Sequence, residues 1–203
     1  MILVICALFP ELRHHAARNG VEVFACGVGP VEAAAGAARK LAGRRYDAVI
    51  NAGIGGAFRG RARIGEATLI TDETLAELGL EGGGALRLPG GAQLVAHARG
   101  DESLLARAAD TRLRSGRGLT VTQITTTERT AQRLRERYAA DVESMEGFSV
   151  LRAATLARIP ALEVRGISNY VGERSLAEWD FEAGARAAAA GLGVVLDRLG
   201  CVA

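Results

Sequence analysis

The chain reads Tyr46-Asp-Ala-Val-Ile-Asn-Ala-Gly-Ile-Gly-Gly56, in which a β-branched apolar run leads into a cluster of glycines. This pattern predicts a strand over 46–51 and a glycine loop over 53–56. The same order occurs upstream, where a predicted strand over 21–26 leads into Gly27-Val-Gly-Pro30 and a predicted helix over 31–43. Strand, glycine loop, helix, strand and glycine loop in succession are typical of an open α/β sheet.

The N-terminal run Ile2–Leu8 is aliphatic throughout and predicts a strand that is covered on both faces. It ends at Phe9-Pro-Glu11, and a short helix is predicted over 12–19. Open α/β sheets bind ligands at the carboxyl ends of their strands. Glu11 and the two glycine loops all follow predicted strands, so we expect them to meet at one edge of the sheet.

The rest of the chain gives three more predicted strands and four more predicted helices. The strands are predicted over 64–71, 118–124 and 160–169, and the helices over 101–113, 128–138, 146–159 and 181–199. We predict no element over 73–94, because Gly82–Gly84 and Pro89–Gly91 indicate an exposed excursion.

Two carboxylates lie close together in Val142-Glu-Ser-Met-Glu-Gly147, just before an apolar segment that predicts a buried helix. An ionised carboxylate at such a position costs free energy unless it is paired or hydrogen-bonded. The free N–H groups and the dipole of a helix N-terminus compensate part of that cost. Glu143 and Glu146 are therefore candidate site residues, although acidic residues also occur in the first turns of ordinary helices.

The composition predicts a globular protein with one domain over residues 1–203, since 49% of the 203 residues are hydrophobic and 24% are charged. A net charge of +2 gives no electrostatic reason to expect nucleic acid or a membrane as partner. The apolar N-terminus is too short for a membrane span and lacks the basic flank of a signal peptide. Three cysteines without a metal-type spacing fit a reducing compartment, so we expect a cytoplasmic protein.

The glycine loops match neither of the common nucleotide-binding patterns. Counted from Gly27 or from Gly53, the sixth residue is Glu32 or Phe58 instead of glycine or alanine, and the chain contains no Gly-Lys-Ser/Thr triplet. We therefore expect no cofactor. The loops fit close approach to a compact ligand such as a ribose, or they are ordinary turns. The three histidines show no metal-ligand spacing, so we expect no metal.

Five segments, taken in order, resemble the nucleoside phosphorylase/nucleosidase superfamily. They are Ile5-Cys-Ala-x-x-x-Glu11, Gly27-Val-Gly-Pro-Val-Glu-Ala-Ala34, Asn51-Ala-Gly-Ile-Gly-Gly-Ala-Phe58, Glu143-Ser-Met-Glu-Gly147 and Val164-Arg-Gly-Ile-Ser-Asn169. The resemblance implies a single-domain, three-layer α/β/α sandwich around a twisted, largely parallel sheet. It also implies a homo-oligomer whose subunits can share the rim of the active site. Within the superfamily, the segment 167–171 with Arg174 and Trp179-Asp180 is most similar to the futalosine hydrolases.

The resemblance also implies roles for individual residues. Glu11 matches a carboxylate that activates water, and Glu146 matches an acid that grips the ribose hydroxyls, with Met145 packed under the sugar. Asn169 matches the position that recognises the purine. The remaining predicted substrate-binding residues are Gly53, Ile54, Thr126, Thr127 and Phe148. Phe148 and Trp179 bound the far end of the pocket in this interpretation, and ordinary core packing is the alternative for both.

Asn169 stands where adenine-specific nucleosidases carry Asp. A protonated Asp transfers its proton to a ring nitrogen of adenine. An amide cannot transfer a proton, but it donates hydrogen bonds from its nitrogen and accepts them at its oxygen. A 6-oxopurine such as hypoxanthine presents a carbonyl oxygen that an amide donor complements, and a mispaired buried group costs roughly 1–3 kcal/mol. Asn169 therefore favours a hypoxanthine nucleoside, unless its amide only caps the end of a strand.

Ile54 stands where phosphorylases of the superfamily carry the hydroxyl of a Gly-Ser pair. Arg13 and Arg59 are expected near the mouth of the site and leave phosphate open as a nucleophile. A phosphate beside Glu11 is repelled, whereas a water beside Glu11 meets a base, so hydrolysis is favoured.

The predicted activity is hydrolysis of futalosine to hypoxanthine and dehypoxanthine futalosine in menaquinone biosynthesis. The alternatives are a methylthioadenosine/adenosylhomocysteine nucleosidase, a purine nucleoside phosphorylase and a nucleoside-binding protein without turnover.

Overall fold

The computed structural model describes residues 1–81, 86–109, 111, 113–172, 175 and 179–201. Two features of the sequence lie outside these residues: the glycine run Gly82–Gly84 and Arg174. In the part of the chain that is described, no helix is long and apolar enough to cross a membrane.

The described residues form eight strands and five helices. The strands are β1 (Ile2–Cys6), β2 (Val21–Ala25), β3 (Ala48–Ala57), β4 (Ala67–Leu75), β5 (His97–Arg99), β6 (Arg114–Thr120), β7 (Val142–Ser144) and β8 (Ala161–Tyr170). The helices are α1 (Pro30–Ala42), α2 (Glu102–Ala109), α3 (Glu128–Tyr138), α4 (Gly147–Ala157) and α5 (Phe181–Arg198). Short 3-10 turns cover Phe9–Leu12 and Pro89–Gly91.

All eight strands belong to one sheet whose order along its main path is β2-β1-β3-β7-β6-β4-β5. β8 pairs with both β3 and β4, so the strands β3, β7, β6, β4 and β8 form a closed circuit. β3 is irregular at Gly55/Gly56 and β4 at Ile70/Asp72, and such bulges bend a strand. The sheet is thus open at the β2 side and barrel-like at the other.

The predicted central sheet with flanking helices is confirmed, but the expectation that it is largely parallel is wrong in part. Among the described strands, β3–β7, β4–β5 and β4–β8 pair antiparallel, while the five other pairings are parallel. The difference arises because β4 runs against β8 and because the three-residue strand β7 fits between β3 and β6. The sheet is mixed.

The core lies on both faces of the sheet, and alternate residues of β1 pack on opposite faces. Its residues Leu3 and Ile5 pack in a cluster with α1 and α4, while Ile2 and Val4 pack in a cluster with α2 and α5. Because successive side chains of a strand point to opposite faces, an uninterrupted aliphatic run is what a strand covered on both faces requires. The helices thus cover both faces of β1, the strand that leads to Glu11.

Three local predictions are wrong. The segment 73–94 is not free of elements, because β4 continues to Leu75 and a 3-10 turn covers Pro89–Gly91. No helix forms over 12–19, because only the single 3-10 turn Phe9–Leu12 follows β1. The segment Gly53–Gly56 is not a loop but the second half of β3, which pairs with β8 from Val49 to Ala57. By contrast, the Gly27–Gly29 segment is a loop, and Gly27 and Gly29 both have positive φ angles of 98° and 88°.

Candidate active site

A cavity of about 210 Å³ opens where β1, β3, β7 and β8 end. Its lining consists of Leu8, Glu11, Val28, Ile54, Gly55, Gly56, Ile124, Glu143, Ser144, Met145, Glu146, Ser168, Asn169 and Trp179. The structure therefore brings together five of the predicted site residues, which are far apart in the chain: Glu11, Ile54, Met145, Glu146 and Asn169.

Glu11 enters the cavity from the 3-10 turn that follows β1, with backbone hydrogen bonds from Ala7 and Ile54. Burial raises the pKa of its carboxyl group to about 7, with Arg165 opposing the rise and Glu146 adding to it. Its Oε2 atom has no hydrogen-bond partner among the described residues. Glu11 thus brings to the cavity a carboxyl group that gains and loses a proton near neutral pH.

Glu146 precedes α4 at its N-cap position but does not cap its own helix. Its Oε1 atom accepts a hydrogen bond from the backbone N–H of Gly29 at 3.0 Å, and its Oε2 atom lies 3.5 Å from Nη1 of Arg165. Gly29 is the N-cap residue of α1 and has a φ of 88°, which favours glycine. The cost of burying this carboxylate is thereby offset by one amide and one cation.

Arg165 is the cation of the site, although it does not line the cavity, and it is only 1% exposed. Its Nε atom donates to Glu163 Oε1 at 2.7 Å and its Nη1 atom to the carbonyl of Ile54 at 3.2 Å. When the side-chain amide of Asn51 is oriented so that its nitrogen and its oxygen both form hydrogen bonds, the oxygen accepts from Nη2 of Arg165 at 2.8 Å. Burial works against the charged guanidinium, but Glu163, Glu146 and Glu11 together raise its pKa above the ordinary value. Arg165 is therefore permanently charged.

Asn169 is near the end of β8 and is held by its neighbours in the chain. Its Oδ1 atom accepts from the Ser168 hydroxyl at 2.8 Å, and its Nδ2 atom donates to the carbonyl of Tyr170 at 3.2 Å. A Cβ atom on Gly56 would lie 2.9 Å from Nδ2, so a side chain there would displace the amide. These contacts leave the second N–H of the amide as the group that Asn169 has to offer a ligand.

Comparisons with known proteins show the family to which the chain belongs. A family model described as the Phosphorylase superfamily matches residues 10–199. The chain belongs to the Phosphorylase superfamily. It is 39% identical over 178 residues to the futalosine hydrolase of Streptomyces coelicolor, a match that covers 84% of this chain and 76% of that protein. The family resemblance predicted from the sequence motifs is confirmed.

Solved structures of two nucleosidases from Helicobacter pylori have the same fold as this superfamily member. The 5'-methylthioadenosine/S-adenosylhomocysteine nucleosidase of H. pylori, solved with butyl-thio-DADMe-Immucillin-A, gives a TM-score of 0.82 at 18% identity, and the match covers 97% of each chain. The futalosine hydrolase of H. pylori gives a TM-score of 0.80 at 17% identity, and this match also covers 97% of each chain. At these identities the likeness shows the fold alone, and the two scores do not distinguish between the two kinds of nucleosidase.

We expected a ligand to approach the backbone of Gly53 closely, but two side chains of the site occupy that space instead. Gly53 is inside β3, and a Cβ atom there would collide with Oε2 of Glu11 and lie 2.9 Å from Nη1 of Arg165. The missing side chain therefore makes room for both the carboxylate of Glu11 and the guanidinium of Arg165 beside β3. Ile54 does line the cavity.

Four predicted site residues lie outside the cavity lining: Gly53, Thr126, Thr127 and Phe148. Thr126 and Thr127 line a neighbouring cleft, and Thr127 caps α3 by accepting from the N–H of Thr130 at 3.3 Å. Phe148 is in the core with α1 and α4, which is the packing alternative considered for it. Trp179, for which core packing was equally considered, lines the cavity instead.

Glu143 also lines the cavity, and its carboxylate is bound to the loop after β6. Oε1 accepts from the N–H of Thr125 at 3.0 Å and Oε2 from its hydroxyl at 2.6 Å. Burial raises the pKa of Glu143 although both hydrogen bonds from Thr125 act to lower it. Glu143 thus fixes the loop that carries Ile124 over the cavity.

Arg165 and Glu163 were not predicted to be site residues. A signal was present, because two charges alternate inside a strand, β8, whose residues from Ala161 to Asn169 are all buried. Charged side chains are almost never fully buried unless they are paired, so this pattern predicts partners elsewhere in the chain. The two arginines expected near the mouth have carboxylate partners of their own, since Arg13 pairs with Glu182 and Arg59 Nε lies 4.0 Å from Glu128.

Proposed function

We propose that this protein hydrolyses the N-glycosidic bond of futalosine and releases hypoxanthine. The similarity to the futalosine hydrolase of S. coelicolor supports the substrate, and the carboxylates of the cavity support the reaction. We also propose that residues 1–203 act as one cytoplasmic domain in menaquinone biosynthesis, without a cofactor and without nucleic acid or a membrane as partner.

One observation carries this proposal: Glu11, Glu146 and Asn169 line the same cavity although 158 residues separate the first from the last. Cleavage of a nucleoside needs a base for water, a group that binds the sugar and a group that binds the departing purine. Each of these three side chains fits one of these tasks, and together they are close enough to act on one substrate.

Glu11 is the proposed general base. With a pKa of about 7, its carboxyl group is partly ionised at neutral pH, and a base of that pKa accepts a proton from water more readily than an ordinary glutamate. Because Glu11 lines the cavity, a water bound there is within reach of its carboxyl group. After water has attacked the anomeric carbon, the proton resides on Glu11.

Glu146 is the proposed ligand of the ribose hydroxyls. Gly29 contacts one of its oxygens and Arg165 the other, and each carboxylate oxygen can accept a further hydrogen bond from a ligand. Its negative charge also favours the positive charge that develops on the sugar as the bond to the purine breaks. Met145, which packs against the cluster around Leu119 and lines the cavity, is the proposed support under the sugar.

Asn169 is the proposed purine ligand. Because the Ser168 hydroxyl donates to Oδ1 and one N–H of Nδ2 donates to Tyr170, the second N–H of the amide is the donor that remains for a ligand. An N–H donor pairs with the carbonyl oxygen of hypoxanthine and stabilises charge on the departing base, whereas the exocyclic amine of adenine offers it a competing donor.

Water is the proposed nucleophile because the charges around the cavity disfavour phosphate. Arg165 is surrounded by the carboxylates of Glu11, Glu146 and Glu163, so its positive charge is already balanced. A phosphate anion would approach Glu11 directly and meet the apolar side chain of Ile54 where a hydroxyl donor would be needed.

A homo-oligomer is proposed from the rim of the cavity. The exposed fractions of Leu8, Val28 and Ile124 are 48%, 49% and 41%, and Phe9 next to them is 60% exposed. Apolar side chains grouped at a site opening mark a surface that another molecule covers. Analytical ultracentrifugation of the native protein and of Phe9→Ser tests this, since the variant is expected to dissociate more readily.

The test of the activity is to incubate the protein with futalosine, inosine or methylthioadenosine, with and without phosphate, and to identify the released base and sugar. We expect hypoxanthine and an unphosphorylated sugar from futalosine at a rate that phosphate does not change. Faster release of adenine from methylthioadenosine would contradict the proposal, as would a sugar phosphate that forms only with phosphate. Binding without release of any base would indicate a nucleoside-binding protein instead.

A further inference from the structure

Two further carboxyl groups, those of Glu73 in β4 and Glu163 in β8, lie side by side in the core next to the active site. Their exposed fractions are 1% and 0%, and their carboxyl groups lie within hydrogen-bonding reach of each other. A Cβ atom on Gly147 would lie 2.7 Å from Oε1 of Glu163 and would collide with Oε1 of Glu73. The first residue of α4 is thus a glycine at the position where the pair requires space.

The donors around this pair are too few for two ionised carboxylates. Thr120 donates its hydroxyl hydrogen to Oε2 of Glu73 at 2.8 Å while its oxygen accepts from the N–H of Phe148 at 2.8 Å. Arg165 donates to Oε1 of Glu163 at 2.7 Å. The two remaining oxygens, Glu73 Oε1 and Glu163 Oε2, have no donor among the described residues. A buried acceptor without a donor costs free energy, and one proton between the two groups removes the deficit.

The charges around the pair indicate which carboxyl group carries the proton. The pair is faced by Arg165, which is in β8 like Glu163, and by Thr120 from β6. Glu11 and Glu146 lie on the other side of the guanidinium. Burial and the neighbouring Glu163 raise the pKa of Glu73 well above its ordinary value. The direct ion pair with Arg165 favours the negative charge on Glu163.

We propose that Glu73 and Glu163 share one proton and that the pair acts, through Arg165, as a positioning device for Glu11 and Glu146. The shared proton leaves one negative charge at the Nε side of the guanidinium. That charge fixes the plane of Arg165 so that Nη1 faces Ile54 and Glu146, and it moderates the positive charge that Glu11 experiences. The effect on Glu11 rests on the function proposed above, whereas the shared proton does not.

Two matched variants separate the pair from ordinary core packing. Glu163→Gln keeps the side-chain volume but removes the charge beside Arg165, so the guanidinium acts on Glu11 without compensation. The pH at which kcat/KM is half maximal on the acid side should then fall by about one unit. Glu73→Gln retains an N–H donor for Glu163 and should leave that pH unchanged, as should Glu102→Gln, which alters an exposed carboxylate of α2.

The infrared spectrum tests the shared proton without substrate. At about pH 9, where an ordinary glutamate is ionised, the native protein should show the carbonyl band of an un-ionised carboxyl group, and Glu73→Gln should lack it. Identical spectra for the folded native and Glu73→Gln proteins would overturn the proposal. Equal displacement of the pH profile by both variants would overturn it too, because a purely structural effect does not depend on which carboxylate is replaced.

The two measurements keep the proposals distinct. If no nucleoside is cleaved, the proposed function fails while the infrared difference still decides whether the proton is shared. If Glu163→Gln does not fold, the infrared comparison with Glu73→Gln decides the proposal alone.

Discussion

Arg165 Nη1 lies 3.5 Å from Oε2 of Glu146, inside a protein core that exposes only 1% of the arginine side chain. The Nε atom of the same guanidinium holds Glu163, which is outside the cavity lining. One planar cation thus connects a carboxylate of the cavity wall to a carboxylate of the core. Because guanidinium geometry is rigid, this connection fixes Glu146 more firmly than a lysine would.

Removal of Arg165 should destabilise the fold strongly. Arg165→Met leaves Glu146 and Glu163 buried without their cation, and breaking a buried ion pair in this way costs about 3–5 kcal/mol. Urea denaturation measures the loss in the free energy of unfolding. The matched control is Arg129→Met on the exposed face of α3, for which we expect little change. Equal losses in both variants would show that Arg165 is not the centre of the charge network.

The activity should rise with pH through about 7. Glu11 acts as a base only when its carboxyl group is ionised, and its pKa is raised to about 7. The pH profile of kcat/KM should therefore have its acid limb there and not at the ordinary value for glutamate. A limb near pH 4.5 would mean that another group takes the proton, or that Glu11 is solvated in the enzyme that reacts.

The same pKa makes a prediction about stability. A carboxyl group whose pKa is higher in the folded state binds its proton more tightly there, so its contribution to stability is fully present below the ordinary pKa of 4.5 and is lost as the pH rises from there through about 7. Glu11→Gln removes this loss and should stabilise the protein at pH 8 by up to about 3 kcal/mol. Thermal unfolding should show the gain at pH 8 and not near pH 4. No gain at pH 8 would contradict the assigned pKa.

The base preference should change with Asn169. Asn169→Asp replaces the N–H donor by a carboxyl group that suits adenine, and a mispaired buried group costs roughly 1–3 kcal/mol. We therefore expect the ratio of kcat/KM for hypoxanthine over adenine nucleosides to fall by about ten- to hundredfold. Ser168→Ala is the companion variant, because it removes the hydroxyl that orients the amide while leaving the amide in place. An unchanged ratio in Asn169→Asp would exclude this residue from purine recognition.

The sequence predicts well those elements whose signals are local. α3 runs from Glu128 to Tyr138 as predicted, because Thr127 caps its start and its apolar residues Ala131 and Leu134 recur with helical spacing. β1, β2, α1, α4, β8 and α5 are confirmed with ends shifted by a few residues. Each has an apolar pattern that depends little on the rest of the fold.

Elements that depend on distant partners were not predictable in this way. Gly53–Gly56 reads as a loop because glycine is unfavourable in strands, yet β8 pairs with the whole segment and the side chains of Glu11 and Asn169 occupy the space that Cβ atoms would take. β7 is only three residues long and exists because β3 and β6 flank it. The buried charges of β8 signal that partners exist, but that Arg165 meets Glu146 and that Glu73 meets Glu163 depends on the tertiary fold, which no local pattern reveals.

The most direct test of the account is the rate of hypoxanthine release from futalosine by Glu11→Gln. The amide keeps the size of the side chain but takes no proton from water, so turnover should fall by about two to four orders of magnitude while the variant folds normally. Glu102→Gln, treated identically, should match the native enzyme. A native rate in Glu11→Gln would contradict the claim that this carboxylate activates the attacking water.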